Sequence, residues 1–329
     1  MNLLVITNNP ERASFRQRIG VYLDVLRDDG VDSDVARLPA GSLARRRLFQ
    51  RATGFDGVLI QKKGLNFFDA SCLRRYSKKI IYDFDDAVMY SPKAPERNSL
   101  FHFLRFRRSA RLADLVMAGN SYLAEHARRY NSNVYVVPTG LNTEDYRLEP
   151  VPKADGRIRL VWIGSKATLR YLAQIEGALE QVGSRFEHVV LRIICDAFLE
   201  LRSLQVEKRH WSRQKQALDL VSSDIALAPL SDDRYTRGKC GFKILQYGAA
   251  SLPVVASPVG VNAEYVQNGV TGLHATDISD WVDKIGQLVQ NQELRIRMGR
   301  AARRQVSGFD VGQIGSRLTT ILKNHLADR

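Results

Sequence analysis

Residues Asp224 to Glu264 read DIALAPLSDDRYTRGKCGFKILQYGAASLPVVASPVGVNAE. The apolar run Ile225 to Leu230 is short and has Pro229 and a polar cluster at its end, which predicts a buried strand. The polar loop Ser231–Gly238 follows, then a helical pattern from about Gly238 to Ala250. A second apolar run, Pro253 to Ser257, predicts another buried strand ahead of a turn at Gly260. Strand, loop, helix and strand make one βαβ unit of a parallel sheet. Ligands of such sheets lie beyond the carboxyl ends of the strands, and here that edge carries DDRYTRGKCG.

At 100° per residue, Lys239, Lys243 and Gln246 fall on one stripe of the expected helix. Phe242, Leu245 and Ala249 form the neighbouring stripe, the natural core face. Arg237, Lys239 and Lys243 then gather at the helix N-terminus, where each cation opposes the macrodipole by about 0.3–1 kcal/mol unless an anion joins it. Together with free backbone N–H groups they make a phosphate site. Without a ligand, the same residues are a solvated basic helix start.

The pattern G-x-x-x-F-K-x-L-Q-Y-x-A-x-x-x-P-V-V-A-S-x-V-G-x-x-x-E, running from Gly238 to Glu264, resembles the nucleotide-sugar signature of retaining glycosyltransferases of family 4, the group 1 glycosyltransferases. The resemblance implies an α/β protein of the GT-B fold: two Rossmann-like doubly wound domains facing a cleft, with a C-terminal helix returning to the N-terminal domain. That family carries two glutamates spaced E-x7-E across this helix, one touching donor sugar hydroxyls and one holding the ribose. Here Gly238 and Gln246 stand in those positions. Gln246 can still hydrogen-bond a ribose, whereas Gly238 offers only its backbone. The donor-binding residues this resemblance nominates are Arg237, Lys239, Gly241, Lys243, Gln246 and Glu264.

Outward from this stretch, 329 residues that are 44% apolar suffice for about two domains with real cores. The expected division is 1–148, plus a returning helix at about 308–329, and 149–307. Leu141–Gly156, with Pro150 and Pro152, reads as the linker between them. No apolar run approaches the roughly 20 residues of a membrane span, and Met1–Thr7 lacks a signal-peptide pattern. Cys72, Cys195 and Cys240 show neither paired nor metal-ligand spacing, so a cytoplasmic protein with reduced thiols is expected.

In the second half, Ile158–Ile163 predicts a strand and Gly164-Ser165-Lys166 a turn opening a helix, a geometry that suits phosphate. The family places an arginine and a lysine near this point for the donor diphosphate. Lys166 is the nearest cation here, with Arg170 further along. Val189–Ile194 and Leu204–Glu207 read as strands, and Ser279–Val289, Gln292–Val306 and Val311–Leu326 as helices.

The first half alternates strands and helices, as a doubly wound sheet demands. Leu3–Ile6, the neighbourhood of Val35, Gly57–Ile60, Lys79–Tyr82, Leu115–Ala118 and Val134–Val137 are the expected strands, with a helix from about Phe15 to Arg27. The first loop, TNNPERAS from Thr7 to Ser14, falls where a ligand would lie. In the family this loop is often glycine-rich and runs beside the donor phosphates. Here Asn8, Arg16 and Arg18 could reach phosphate or acceptor, or the arginines could simply be exposed on the helix.

Tyr82 to Tyr90, YDFDDAVMY, crowds Asp83, Asp85 and Asp86 at a strand end, which costs repulsion unless hydroxyls, cations or a metal compensate. Carboxylates accept sugar hydroxyls well, so Asp85 and Asp86 are the candidate catalytic residues, with a fold-supporting role as the alternative. Family members carry a histidine in the loop after this strand; none stands there in this chain. Asp83-x-Asp85 also fits a metal-binding D-x-D, a very weak signal, and neither a metal nor another cofactor is expected.

Seventeen lysines and arginines face six carboxylates between Arg37 and Arg111, so the chain's net charge of +14 is concentrated there. Such a field favours an anionic partner, or is a basic soluble face. Within it, Arg97–Arg111 mixes five arginines with Leu100, Phe101, Phe103, Leu104 and Phe106, in a wheel that is not cleanly amphipathic. Arginines snorkelling at a bilayer would fit, as would a buried helix with a basic end.

These observations lead to an enzyme that moves a sugar, with retention, from a nucleotide-sugar donor to a glycan or lipid-linked acceptor. The expected setting is cytoplasmic, peripheral on an anionic membrane surface, with no nucleic acid as partner. Two alternatives stand beside it: a non-catalytic membrane- or nucleic-acid-binding protein on the same fold, which the replaced glutamates would suit, and a nucleotide-sugar 2-epimerase.

Overall fold

The computed structural model of the chain describes residues 1–148 and 155–327. They form two compact units: Met1–Leu141 with Asp233–Cys240 and Phe309–Arg329, and Asn142–Asp232 with Gly241–Gly308. Pro150 and Pro152 of the expected linker lie outside the described residues.

The first unit is built on strands β1 (Asn2–Thr7), β2 (Asp32–Arg37), β3 (Gly57–Gln61), β4 (Ile80–Phe84), β5 (Leu115–Ala118) and β6 (Val134–Val136). They pair in parallel in the order β2-β1-β3-β4-β5-β6. The inner strands are continuous apolar runs because both faces of the sheet are covered, and alternate residues feed two cores. Leu4, Ile6, Val58, Ile60, Ile80, Tyr82 and Phe84 pack with Leu48, Phe49, Leu73 and Phe106 from helices on one face. On the other, Leu3, Val5, Leu59, Ile81, Leu115 and Met117 meet Leu26 and the closing helix Val311–Ala327 through Ile314, Leu318, Ile321 and Leu322. Each such large side chain contributes about 1.5–3 kcal/mol by leaving water. The chain re-enters this unit where the Leu141 N–H donates to Phe309 O (3.0 Å) and the Val311 N–H donates to Leu141 O (3.1 Å). The closing helix thus returns to the first unit, as the resemblance implied.

The second unit holds β7 (Ile158–Ile163), β8 (Val189–Ile194), β9 (Gln205–Arg209), β10 (Ile225–Ala228), β11 (Val254–Ala256) and β12 (Gly272–His274), parallel in the order β12-β11-β10-β7-β8-β9. Leu160, Trp162, Leu191, Ile193, Ile225 and Leu227 build its core with Leu172, Leu179, Val182, Trp281 and Ile285. Each unit is thus a six-stranded parallel α/β sheet, as the resemblance implied.

Several expectations need correction. The helix from Phe15 to Arg27 is broken into Ala13–Arg16, a 3-10 turn Gly20–Tyr22 and Leu23–Asp28, and Arg18, between the first two pieces, is buried in an ion pair. β12 is three residues long, too short to announce itself by periodicity. The helix expected from Gly238 runs only from Phe242 to Ala249, since Gly241 adopts a left-handed conformation (φ 66°) and begins it afresh. Lys239 therefore lies outside that helix and in the first unit, so the stripe of Lys239, Lys243 and Gln246 does not exist. Arg97–Arg111 does contain a helix, Leu100–Leu112, capped by Ser99 and burying Phe106, Ser109 and Ala110.

Candidate functional site

The carboxylate cluster at the end of β4 is neutralised by cations from distant parts of the sequence. Asp83, fully buried, is met by Arg18, itself 1% exposed: Arg18 Nη2 donates to Asp83 Oδ1 at 2.7 Å, and Nε to both carboxylate oxygens at 3.1 and 3.2 Å. Arg18 Nη1 donates to Val137 O at 2.5 Å, tying β4 to the end of β6. Burial works against the charged guanidinium, but Asp83 outweighs it and holds Arg18 protonated above its usual range. Arg18 is thus a structural residue and not a phosphate ligand.

Asp85 and Asp86 share Lys62, whose Nζ lies 3.5 Å from Asp85 Oδ1 and closer still to Asp86 Oδ2. Lys239 Nζ stands 3.3 Å from Asp86 Oδ1 and 4.8 Å from the centre of the Tyr235 ring. Burial alone would raise the Asp86 pKa, but Lys62 and then Lys239 hold the carboxyl below its usual range. Burial likewise opposes the charge of Lys62, and Asp85 and Asp86 outweigh it, keeping the ammonium above its usual range. Lys62 has a left-handed backbone (φ 60°), rare for a residue with a side chain, and its N–H donates to Asp83 O at 2.6 Å. Such a conformation costs on the order of 1–3 kcal/mol and recurs at functional sites. Nothing in the sequence around QKKG distinguishes Lys62 from the other basic residues of its region.

The segment that supplies Lys239 is fastened by Tyr122 Oη donating to Arg234 O (3.0 Å) and Asn120 Nδ2 donating to Lys239 O (3.0 Å). Gly238, where the family has its first glutamate, faces Ala87: an added Cβ would lie 2.7 Å from the Ala87 Cβ and 2.9 Å from its N. A side chain has no room there. Arg237, in the same 3-10 turn, is exposed.

Beside Asp86 a cavity of about 450 Å³ opens in the first unit, lined by Thr7, Asn8, Arg12, Gln61, Lys62, Lys63 and further residues. It lies where the strand order reverses between β1 and β3, the position at which open parallel sheets bind ligands. Asn8 lines it as its loop predicted; Arg12 does so, and Arg16 does not. His102 also lines it, from the helix Leu100–Leu112, its Nδ1 hydrogen-bonded to Ser99 Oγ at 2.6 Å. It lies outside the loop directly after β4, on the helix that follows.

On the outside of this unit, Phe67 (63% exposed), Phe68 (82%), Leu100 (68%) and Phe101 (59%) project to solvent. A groove of about 430 Å³ beside them is lined by Phe67, Leu104, Arg74, Arg107, Arg108 and Arg111 among others. Apolar groups rimmed by arginines are typical of an interaction surface. No described helix is long and apolar enough to cross a membrane.

In the second unit, the turn after β7 carries Gly164, Ser165 and Lys166. Ser165 caps a 3-10 turn with Thr168, and Ser165 and Lys166 are exposed. Lys243, in the first turn of the helix Phe242–Ala249, places Nζ 4.1 Å from the centre of the Trp162 ring, on the strand that leads into this turn. Gly241 starts that helix against Val261 and Tyr265, an added Cβ meeting Val261 Cγ2 at 2.7 Å, and Glu264 is exposed on the helix Val261–Tyr265. These residues follow β7, β10 and β11, and the order of the second sheet reverses between β7 and β10. Gln246 is buried, its Nε2 donating to Tyr146 Oη (3.0 Å) and Gln216 Oε1 (3.2 Å). The structure thus brings Gly164–Lys166, Lys243, Gly241 and Glu264 to one edge of the second sheet, and sets Arg237 and Lys239 in the first unit. Among the described residues no group of three or more His, Cys, Asp or Glu could hold a metal.

Residues 145–291 match the family model described as Glycosyl transferases group 1. No curated protein matches the chain. Among solved structures, HepE of Anabaena in complex with UDP-glucose shares 15% identity over 98% of this chain and 100% of its own, with a TM-score of 0.72. Sucrose-phosphate synthase from Thermosynechococcus elongatus shares 15% identity over 100% of both chains, with a TM-score of 0.75. WaaG, a glycosyltransferase involved in lipopolysaccharide biosynthesis, shares 13% identity over 97% of this chain and 99% of its own, with a TM-score of 0.67. The fold is that of GT-B glycosyltransferases.

Proposed function

We propose that the chain is a glycosyltransferase that moves a sugar from a nucleotide-sugar donor to a glycan or lipid-linked acceptor, with retention of anomeric configuration. The observation that carries this is the edge of the second sheet. There Lys243, held over Trp162, and the turn Gly164–Lys166 stand at a strand-order reversal inside the segment that matches group 1 glycosyltransferases. HepE was solved with UDP-glucose bound, which favours a uridine diphosphate sugar as donor.

In this proposal Lys243 and Lys166, with the N–H groups that open their helices, take the charge that grows on the leaving diphosphate. Preorganised donors serve that purpose best, and a hydrogen bond to a charged group is worth about 1.5–3 kcal/mol. Retention follows from front-side displacement, in which the leaving diphosphate itself accepts the acceptor hydroxyl's proton. The Asp86 carboxylate, kept ionised by Lys62 and Lys239, accepts hydrogen bonds from sugar hydroxyls. Neither a metal nor another cofactor is required, because the cations are supplied by side chains. The exposed Phe67, Phe68, Leu100 and Phe101, beside Arg107, Arg108 and Arg111, suit peripheral attachment to an anionic cytoplasmic membrane surface, where a lipid-linked acceptor would be met.

The test is a thermal-shift and calorimetric screen of the full chain against nucleotide sugars, followed by NMR of the anomeric centre in the product. Binding of UDP-glucose, with transfer or slow hydrolysis that retains the α configuration, is the expected result. A chain that binds no nucleotide sugar is not a transferase, and an inverted product would overturn the mechanism.

A further inference from the structure

The lining of the first unit's cavity carries more positive charge than its carboxylates balance. Lys62 is matched by Asp85 and Asp86. Arg12, Lys63 and Arg105 line the same cavity and have no ion-pair partner among the described residues. Asp69, the carboxylate that acts on Lys63, is already engaged by Arg45 at 2.7 Å and by Asn66. Arg105 is held in place by the Phe101 ring, 3.9 Å below its guanidinium carbon. Burial, and after it the nearby Arg105 and Arg45, lower the Lys63 pKa, against a smaller opposing pull from Asp69. Tyr82, fully buried, also lines the cavity, and its hydroxyl has no hydrogen-bond partner among the described residues.

We propose that this cavity is an anion subsite for the acceptor, in which Arg12, Lys63 and Arg105 hold a phosphate group attached to a sugar. The term acceptor rests on the transferase proposal above; the phosphate site does not. Three cations outnumber the charge of a single carboxylate and are better met by a phosphate dianion, whose oxygens take charge-assisted hydrogen bonds from arginine and lysine. At about 450 Å³ the cavity has room for a sugar beside the phosphate. Asn8, His102 and Tyr90 in its wall supply donors and acceptors for hydroxyls. The phosphate could belong to a soluble sugar phosphate or to a lipid headgroup.

The experiment is calorimetric titration of the full chain with methyl phosphate, run in saturating UDP so that a donor site is filled. Wild type is compared with Lys63→Gln and Arg105→Gln. Each variant is expected to bind methyl phosphate at least ten-fold more weakly while UDP affinity stays within two-fold of wild type. Unchanged methyl phosphate affinity in both variants, or equal affinity of the wild type for methyl phosphate and for acetate, would overturn the proposal. A wild type that binds methyl phosphate but not UDP would remove the transferase proposal and leave the anion site standing. Sedimentation with phosphatidic acid vesicles, lost in both variants and competed by methyl phosphate, identifies a lipid source. Methyl phosphate binding with sedimentation that is absent, or that persists in both variants, identifies a soluble one.

Discussion

Replacing Arg18 with Met is the sharpest test of how the first unit is held together. The guanidinium makes three contacts to Asp83 between 2.7 and 3.2 Å and another to Val137 O, at a site where neither partner is more than 1% exposed. Met fills much of the volume and leaves the carboxylate without its cation. Removing one partner of a buried pair costs about 3–5 kcal/mol. An independent bound comes from protonation. A carboxyl with an unperturbed pKa of about 3.9 can be neutralised at pH 7 for about 4 kcal/mol, at 1.36 kcal/mol per unit, so the penalty levels off there.

That route gives the loss a pH signature. In the variant, Asp83 has a folded pKa above its unfolded value, so the folded state binds the extra proton and stability falls as pH rises. The penalty should therefore be about 4 kcal/mol at pH 7 and shrink toward pH 4. A domain is typically stable by only 5–15 kcal/mol, so the loss is large. With two units in the chain, bulk unfolding mixes two transitions. Amide hydrogen exchange in β1, β4 and β5 reports the first unit alone. The double variant Arg18→Met, Asp83→Leu should recover most of the protection, because no charge is then left buried. A penalty below about 1 kcal/mol at pH 7, or one that is equal at pH 5 and pH 7, would refute this account.

The remaining predictions address chemistry and surface. Lys243→Ala should weaken UDP-sugar binding about ten-fold, the loss of one charge-assisted contact, with an unchanged melting temperature; calorimetry checks it. Asp86→Asn should depress turnover far more than nucleotide affinity, which steady-state kinetics with a binding assay separates. Because its folded pKa is depressed, Asp86 contributes stability that is present above about pH 4 and lost as pH falls through the folded value. The asparagine variant should accordingly show a flatter acid limb in unfolding experiments. Activity should survive EDTA; complete loss restored by Mn²⁺ or Mg²⁺ would favour the D-x-D alternative. The chain should float with anionic but not neutral liposomes at low salt, and charge reversal at Arg105, Arg107 and Arg108 should abolish this; the attraction is screened beyond about 10 Å at 0.1 M salt.

What was legible in the sequence depended on whether a signal was local. β5, β7 and β8 are apolar runs bounded by turns, and their limits could be read residue for residue. The same holds for the helix Gln292–Val306, capped by Asn291, whose side chain accepts from Leu294 N. Pairing across the sequence was not legible. Arg18 and Asp83 are 65 residues apart and Lys239 and Asp86 are 153 apart, so neither cation could be assigned its carboxylate from spacing.

The segment Asp233–Cys240 shows the same limit with functional consequences. Helical periodicity carries Lys239 smoothly onto the helix with Lys243, because a wheel has no means of registering that a left-handed Gly241 resets the chain. Once it does, Lys239 is free to pair with Asp86 within the first unit, while Lys243 stays with Trp162 in the second. The glycine at 238 then has a steric reason. At Gly238 the backbone approaches Ala87 so closely that a side chain would displace the segment and with it Lys239. A glutamate at 238 and the Lys239–Asp86 pair are mutually exclusive in this chain. Gly238→Glu should therefore loosen the Asp233–Cys240 segment and impair whatever Asp86 does.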